Sequence, residues 1–134
     1  MKNTAAAVRQ KLINRGLNLL SYRPQSIAEF TTKLKRSGAD QITINQVVDH
    51  FINEGRLDDF QFAKWWVDQR IKFRPRGNIA LKQELSQKGV SQDIIDDVLL
   101  SYEDELQLAK SLPSNKRLSR GFSYRVIDAL AADE

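Results

Sequence analysis

Apolar residues recur along this chain at intervals of three and four, the spacing that lines one face of an α-helix. Val8, Leu12, Leu19 and Leu20 make the first stripe, which the proline after Arg23 stops. Ile27, Phe30 and Leu34 make the second. Ser26-Ile27-Ala28-Glu29 opens it as a capping box, the Ser26 hydroxyl accepting from the third amide while Glu29 reaches back. Gly38 closes it in the left-handed position past the helix end, and Lys33, Lys35 and Arg36 set positive charge against the dipole of the last turns. Ile44, Val47, Val48 and Phe51 make a third stripe, closed by Gly55. The same order then returns. Asp58-Asp59-Phe60-Gln61 opens a helix running to Phe73, and Pro75-Arg76-Gly77-Asn78 breaks the chain. Ile79, Leu81 and Leu85 line a helix that ends at Gly89, and Ser91 caps a last one through Ile94, Ile95, Val98, Leu99 and Tyr102. No segment alternates apolar and polar residues for long enough to make a strand, so the fold class is all-α.

A shift of 51 residues superimposes the two halves. Tyr22-Arg23-Pro24 falls on Phe73-Arg74-Pro75, Phe30 on Leu81, Leu34 on Leu85, Gly38 on Gly89 and Phe51 on Tyr102. Apolar positions and helix breakers match while the charges between them vary, the mark of a repeated supersecondary unit. Residues 1–57 and 58–105 are therefore two three-helix repeats, and 106–134 a shortened third. In that third unit Leu112-Pro113 stands where Phe73 and Pro75 do, and Arg120-Gly121-Phe122-Ser123 where Lys88-Gly89-Val90-Ser91 do. Proline to glycine spans 8 residues there and 14 in the second unit, a loss of most of two turns. The segment reads as a capping half-repeat, with a loosely ordered tail as the alternative. The architecture predicted is an elongated tandem array whose long outer surface suits an extended partner better than a small substrate.

Composition removes several kinds of chemistry. The 134 residues include no cysteine, hence no disulfide, thiolate nucleophile or Cys-based zinc site. No apolar run has the length of a membrane span and no signal peptide is visible, so a cytoplasmic protein is expected. The one histidine, His50, lies beside a core position with only Asp49 and Glu54 near it in sequence, a poor metal set and no catalytic pair. Phosphate loops, dinucleotide fingerprints and nucleophile elbows are absent, and the carboxylates lie on solvated helix faces where nothing would raise a pKa. Catalytic, cofactor and metal residues are expected to be none.

Net charge is +4, unevenly spread. Residues 1–89 carry sixteen Lys and Arg against eight Asp and Glu, whereas 90–111 carry Lys110 against six acids. A basic body with one acidic helix points to a polyanion or nucleoprotein partner, unless the signs merely alternate on solvated faces.

Two features exceed what folding requires. Arg70 falls within the apolar face made by Phe62, Ala63, Trp66, Val67 and Phe73, where a charge needs a partner. An internal ion pair with Asp58, Asp59 or a carboxylate of the next helix is the structural reading. Trp65 points away from the centre of that face, as a contact residue or as a cover for the neighbouring unit. The second feature is the positive cluster of Arg70, Lys72, Arg74 and Arg76, with Lys82 one turn later; its match in the first unit keeps only Arg23. Phosphate contacts from such a patch would be salt-dependent and sequence-blind.

The segment Glu54-Gly55-Arg56-Leu57-Asp58-Asp59-Phe60-Gln61-Phe62-Ala63-Lys64-Trp65-Trp66-Val67-Asp68-Gln69-Arg70 resembles the RecX family, bacterial modulators of the RecA recombinase. The likeness continues through Leu81, Glu84-Leu85 and Lys88-Gly89-Val90, and returns in Arg120-Gly121-Phe122-Ser123-Tyr124. It implies tandem three-helix repeats and a non-catalytic activity. Proteins of this kind bind along the groove of RecA–DNA filaments, suppress ATP hydrolysis and strand exchange, and impede filament growth. Candidate contacts with the filament or with DNA phosphates are Arg70, Lys72, Arg74, Arg76, Lys82, Lys33, Lys35, Arg36 and Trp65, on a protein expected to be monomeric. The alternative is a helical protein that binds nucleic acid directly. It lacks a recognition-helix layout, and the acidic last helix is awkward for it.

Overall fold

The structure, a computed structural model, describes residues 4–73, 78–113, 116 and 130, without the side chains of 71–73 and 78. Among these residues there are six α-helices and no strand: α1 (Ala5–Tyr22), α2 (Ile27–Lys35), α3 (Gln41–Asn53), α4 (Asp59–Phe73), α5 (Asn78–Gln87) and α6 (Gln92–Lys110). Their starts follow the local chemistry. Thr4, Ser26, Asp40 and Ser91 each accept a hydrogen bond from a first-turn amide of the helix they precede. Asp58 Oδ1 does the same for Phe60 and Gln61 at 2.9 and 3.1 Å. At Ser26 both halves of the capping box are formed. Gly38, Gly55 and Gly89 all adopt positive φ, at 81°, 74° and 81°.

Each trio of helices closes its own core. Leu12, Phe30, Leu34, Ile44, Val47, Val48, Phe51 and Leu57 are buried together from α1–α3 and the segment that follows. Phe62, Ala63, Val67, Leu81, Leu85, Val90, Ile95, Val98 and Leu99 are buried together from α4–α6. Each fully buried Leu, Ile, Val or Phe of these sets contributes roughly 1.5–3 kcal/mol relative to exposure. Two separate cores joined in tandem are what a repeat with this period requires, since every unit buries its own helical stripes.

In the first core Phe30 and Phe51 meet edge to face, with ring centroids 5.2 Å apart. They leave room on α1 for nothing larger than a hydrogen. A Cβ at Gly16 would lie 2.7 Å from Phe30 Cζ and 2.7 Å from Phe51 Cε2.

Helix α6 runs unbroken past Glu105, where the third unit is expected to begin, to Lys110. Most of 106–134 lies outside the described residues, including Arg120-Gly121-Phe122-Ser123. Of that segment, Leu130 is buried with Ala109, and Tyr102 and Leu106 pack against the pair.

Candidate partner interface

The start of α2 lies where two helix ends of the second unit meet. Ser26 is fully buried. Its hydroxyl accepts from the Glu29 amide at 3.1 Å and donates at 2.7 Å to the carbonyl of Lys88, at the end of α5. The next amide, Ile27 N–H, donates to Asp59 Oδ1 at 2.8 Å. One unpaired donor at a helix start and one unpaired acceptor at a helix end are thereby satisfied across the junction. The Asp59 carboxylate also faces the positive end of the α2 dipole. Burial pushes the Asp59 carboxyl above the usual range, against the Ile27 N–H bond that favours its charged form, and nearby Asp58 and Glu29 add to the rise.

Glu29 locks the same joint. Its Oε2 lies 2.9 Å from Arg23 and 3.0 Å from Lys88, and its Oε1 accepts from Ser26 N–H at 3.2 Å. Burial alone would raise this carboxyl, but the bonds from Arg23, Lys88 and Ser26 override it and hold the pKa at about 2. Above Glu29's neighbour the fit is close: a Cβ at Gly89 would run into the Ala28 methyl, and Gly89 already sits at φ +81°. Gly89→Ala should therefore destabilise the protein by about 1–2 kcal/mol, since an L side chain is disfavoured at this φ and here meets a neighbour as well. A urea-melt midpoint unchanged from the parent would contradict this.

Aromatic and charged groups continue outward from the joint. Trp66 lies between two cations, Arg70 Cζ at 4.6 Å and Lys88 Nζ at 5.1 Å from its ring centre. Its Nε1 donates to Glu84 Oε1 at 3.3 Å, and Arg70 Nε lies 3.4 Å from Glu84 Oε2. The partner of Arg70 is thus a carboxylate of the next helix, and the arginine side chain stays 36% exposed. Trp65 is half-buried against the second core, with Arg23 of the first unit 6.0 Å above its ring.

The remaining sequence candidates divide by position. Lys33 Nζ donates to Gln25 Oε1 at 2.9 Å. Its pKa is lowered, first by burial and then by repulsion from Arg23, Lys88 and Arg36, against a raising effect of Glu29. Burial is the larger part of that shift, and Arg23, Lys88 and Arg36 are the cations near Lys33. Lys35 and Arg36 are exposed, on the last turn and C-cap of α2. Lys82 is half-exposed on α5, 3.9 Å from Asp96 of α6. The Lys72 side chain, and Arg74 and Arg76 entirely, lie outside the described residues. The structure therefore places Lys33 near Arg23, Lys88 and Arg36, leaves Lys35 exposed on the last turn of the same helix, and sets Lys82 beside Asp96.

Sequence reasoning found Ser26 and Glu29 as a local cap and missed their second role across the junction, along with Lys88 and Asp59. A trace of it was available. Glu29, Asp59 and Lys88 break the repeat together, standing opposite Ala80, Val8 and Ser37 after the 51-residue shift.

On the other side of the joint a cleft of about 430 Å³ is lined by Leu20, Pro24, Gln25, Gly55, Arg56, Asp58, Gln61 and Phe62. Asp58 is engaged in capping α4, and no nucleophile–base pair faces this space. His50 pairs with Glu54 at 2.7 Å on the surface of α3. Among the described residues no three His, Cys, Asp or Glu side chains converge as a metal site, and no helix is long and apolar enough to cross a membrane.

Comparison with known proteins identifies the two units. The family profile for the RecX first three-helix domain matches residues 13–51, and that for the RecX second three-helix domain matches 58–99. The chain belongs to the RecX family. The regulatory protein RecX of Prosthecochloris aestuarii is 36% identical over 73% of this chain and 65% of its own length. That of Halalkalibacterium halodurans is 35% identical over 92% of this chain and 54% of its own length. This chain thus spans a little over half to about two thirds of these RecX relatives. The crystal structure of RecX from Lactobacillus salivarius superposes with a TM-score of 0.69 at 26% identity, covering 96% of this chain and 97% of that one. A second RecX crystal structure, 24% identical with a TM-score of 0.67, shares the fold.

Proposed function

We propose that this protein is a non-enzymatic regulator that binds the RecA recombinase on its DNA filament and inhibits ATP hydrolysis, strand exchange and filament extension. The observation that carries this reading is the match to both RecX three-helix domains, in order and in tandem. The junction supports it: Ser26, Ile27 and Glu29 on one unit and Asp59 and Lys88 on the other hold the two units as one surface. A filament groove presents both protein and phosphate, and a surface that mixes exposed Lys35 and Arg36 with tryptophans approached by cations suits both. The segment 106–134 acts in this reading as a cap on the array, and the protein works in the cytoplasm.

The test is single-strand-DNA-dependent ATP hydrolysis by RecA while this protein is titrated in. Inhibition well below one copy per RecA is expected. No inhibition by folded protein would sink the proposal, and steep salt-dependent binding to naked duplex without preference for filaments would favour direct nucleic-acid binding instead. The double charge reversal Lys35→Glu with Arg36→Glu should raise the concentration needed for half inhibition by roughly tenfold, about 1.4 kcal/mol, with the melting temperature unchanged. Arg74→Glu with Arg76→Glu tests the second basic cluster in the same assay. Undiminished inhibition by either pair removes that cluster from the contact surface.

A further inference from the structure

The two units are attached at two places. Leu57 is 1% exposed in the first core, and the next residue, Asp58, caps α4 of the second unit. The covalent link between the cores is thus a single backbone step, with the Ile27–Asp59 hydrogen bond beside it. The other attachment is Lys88 at the end of α5. Its carbonyl receives the Ser26 hydroxyl at 2.7 Å, and its ammonium lies 3.0 Å from the Glu29 carboxylate. Among the described residues neither hydrophobic core runs across the joint: each cluster, with the partly buried side chains packed on it, comes from one unit. Backbone torsions alone would let two such bodies turn on each other, because each residue keeps two soft dihedrals. The angle between the units therefore depends on the ties around Lys88.

Among these ties Glu29 reaches the second unit by two routes. One is the ion pair with Lys88. The other runs through Arg23, whose Nη1 and Nη2 donate to the carboxylate at 3.3 and 2.9 Å while its guanidinium lies 6.0 Å from the Trp65 ring centre. Nη1 also donates to the Pro24 carbonyl at 2.7 Å, and Ser26 N–H donates to Glu29 Oε1 at 3.2 Å, so guanidinium and carboxylate are both seated. The Glu29 side chain is 12% exposed, which shelters these charged bonds from water and salt. A single unit does not need the carboxylate in order to fold: the second unit has Ala80 at the same place of its repeat. Glu29 belongs to the joint.

The angle decides what a partner meets. Lys35 and Arg36 ride on the first unit and Lys82 on the second, so the spacing between them is set at this joint. We propose that Glu29 is a positioning residue of the partner interface. Holding Arg23 and Lys88 together, it fixes the angle at which the two units present their contacts to one filament. It acts through those two cations and touches no partner itself. The role in inhibition rests on the reading of this protein as a regulator of RecA; the angle in the free protein does not.

Because the chain has no cysteine, nitroxide labels at Gln46→Cys on α3 and Gln83→Cys on α5, both exposed positions, report the distance between the units by pulsed electron spin resonance. With Glu29 in place one narrow distance distribution is expected. Glu29→Ala should broaden it or move its maximum while the helical circular dichroism is retained. In the RecA ATPase assay Glu29→Ala should raise the concentration for half inhibition by roughly tenfold, because two contact sets held out of register no longer engage together. Cross-linking separates positioning from stability and from direct contact. The double variant Glu29→Cys with Lys88→Cys should inhibit as weakly as Glu29→Ala. Joining its two thiols with a short bis-maleimide should recover most of the lost inhibition, whereas capping each with a monofunctional maleimide should not. A distance distribution unaltered by Glu29→Ala, full inhibition by that variant, or no recovery on cross-linking would each overturn the proposal. Should the parent itself fail to inhibit, the RecA reading falls, and the distance measurement alone decides whether Glu29 sets the angle.

Discussion

Gly16→Val is expected to destabilise the first unit by about 3 kcal/mol, at the upper end of the usual cost of overpacking a core. The added Cβ would arrive within 2.7 Å of both Phe30 and Phe51, and 2.9 Å from Phe51 Cζ. Neither ring has an easy way out. Phe30 is 0% exposed and Phe51 1% exposed, and the two already press edge to face on each other. Moving α1 outward instead would loosen its contact through Leu12 with the same core. Gly16→Ala is the sharper version, because alanine is better than glycine in a helix interior by about 0.8–1 kcal/mol. If helix propensity decided the outcome, G16A would stabilise the protein. The expected result is a net loss, smaller than for valine, read as a fall in the urea midpoint with an unchanged slope. A rise for G16A would show that the rings yield more readily than their burial implies.

Glu29→Ala is the second large effect, about 2 kcal/mol of stability at neutral pH. It strips one carboxylate from Arg23, Lys88 and the Ser26 amide at once. The figure stays below that for a fully buried pair because Arg23 and Lys88 are each about 30% exposed. Both tryptophans lie in the second unit, so fluorescence follows that unit while circular dichroism follows both. With the joint weakened the two signals should separate into distinct urea transitions, where the parent shows one.

The pH dependence has a defined sign. Glu29 is held at about 2 in the folded protein against an ordinary 4.5, so its contribution is full above pH 4.5 and is lost as pH falls towards 2. Asp59 acts the other way, since its raised carboxyl gains stability as it protonates. Glu29→Gln isolates the first. The stability difference between parent and E29Q should be largest near pH 6 and shrink steadily towards pH 2. A difference independent of pH would mean that the carboxylate charge plays no part in the joint.

The candidate interface was only partly visible in the one-dimensional pattern. Arg70 was recognisable as misplaced on an apolar face, and Glu84 answers it from α5. Trp65 carried two readings, contact residue or cover, and it lies half-buried on the core of its own unit with Arg23 of the first unit 6.0 Å from its ring. Lys33, Lys35 and Arg36 read both as dipole-compensating charges at a helix end and as candidate contacts. Lys33 lies near Arg23 and Lys88, residues 10 before it in the chain and 55 after. No spacing rule reaches that far.

What the chain announces along its length is therefore what neighbouring residues settle among themselves. The three-and-four spacing of Phe30 and Leu34 or of Ile44, Val47 and Val48, the caps at Ser26, Asp58 and Ser91, and the glycines at 38, 55 and 89 involve partners within a few residues. Such interactions determine helices and repeat wherever the rest of the chain lies. The joint is of another kind. Ser26 bonds a carbonyl 62 residues away and Ile27 a carboxylate 32 residues away, through groups whose pairing exists only once both cores are closed. Folding brings together there a helix start, a helix end and one carboxylate between two cations. Because hydrogen bonds and ion pairs depend on distances of about 3 Å and not on sequence separation, that meeting belongs to the three-dimensional arrangement alone.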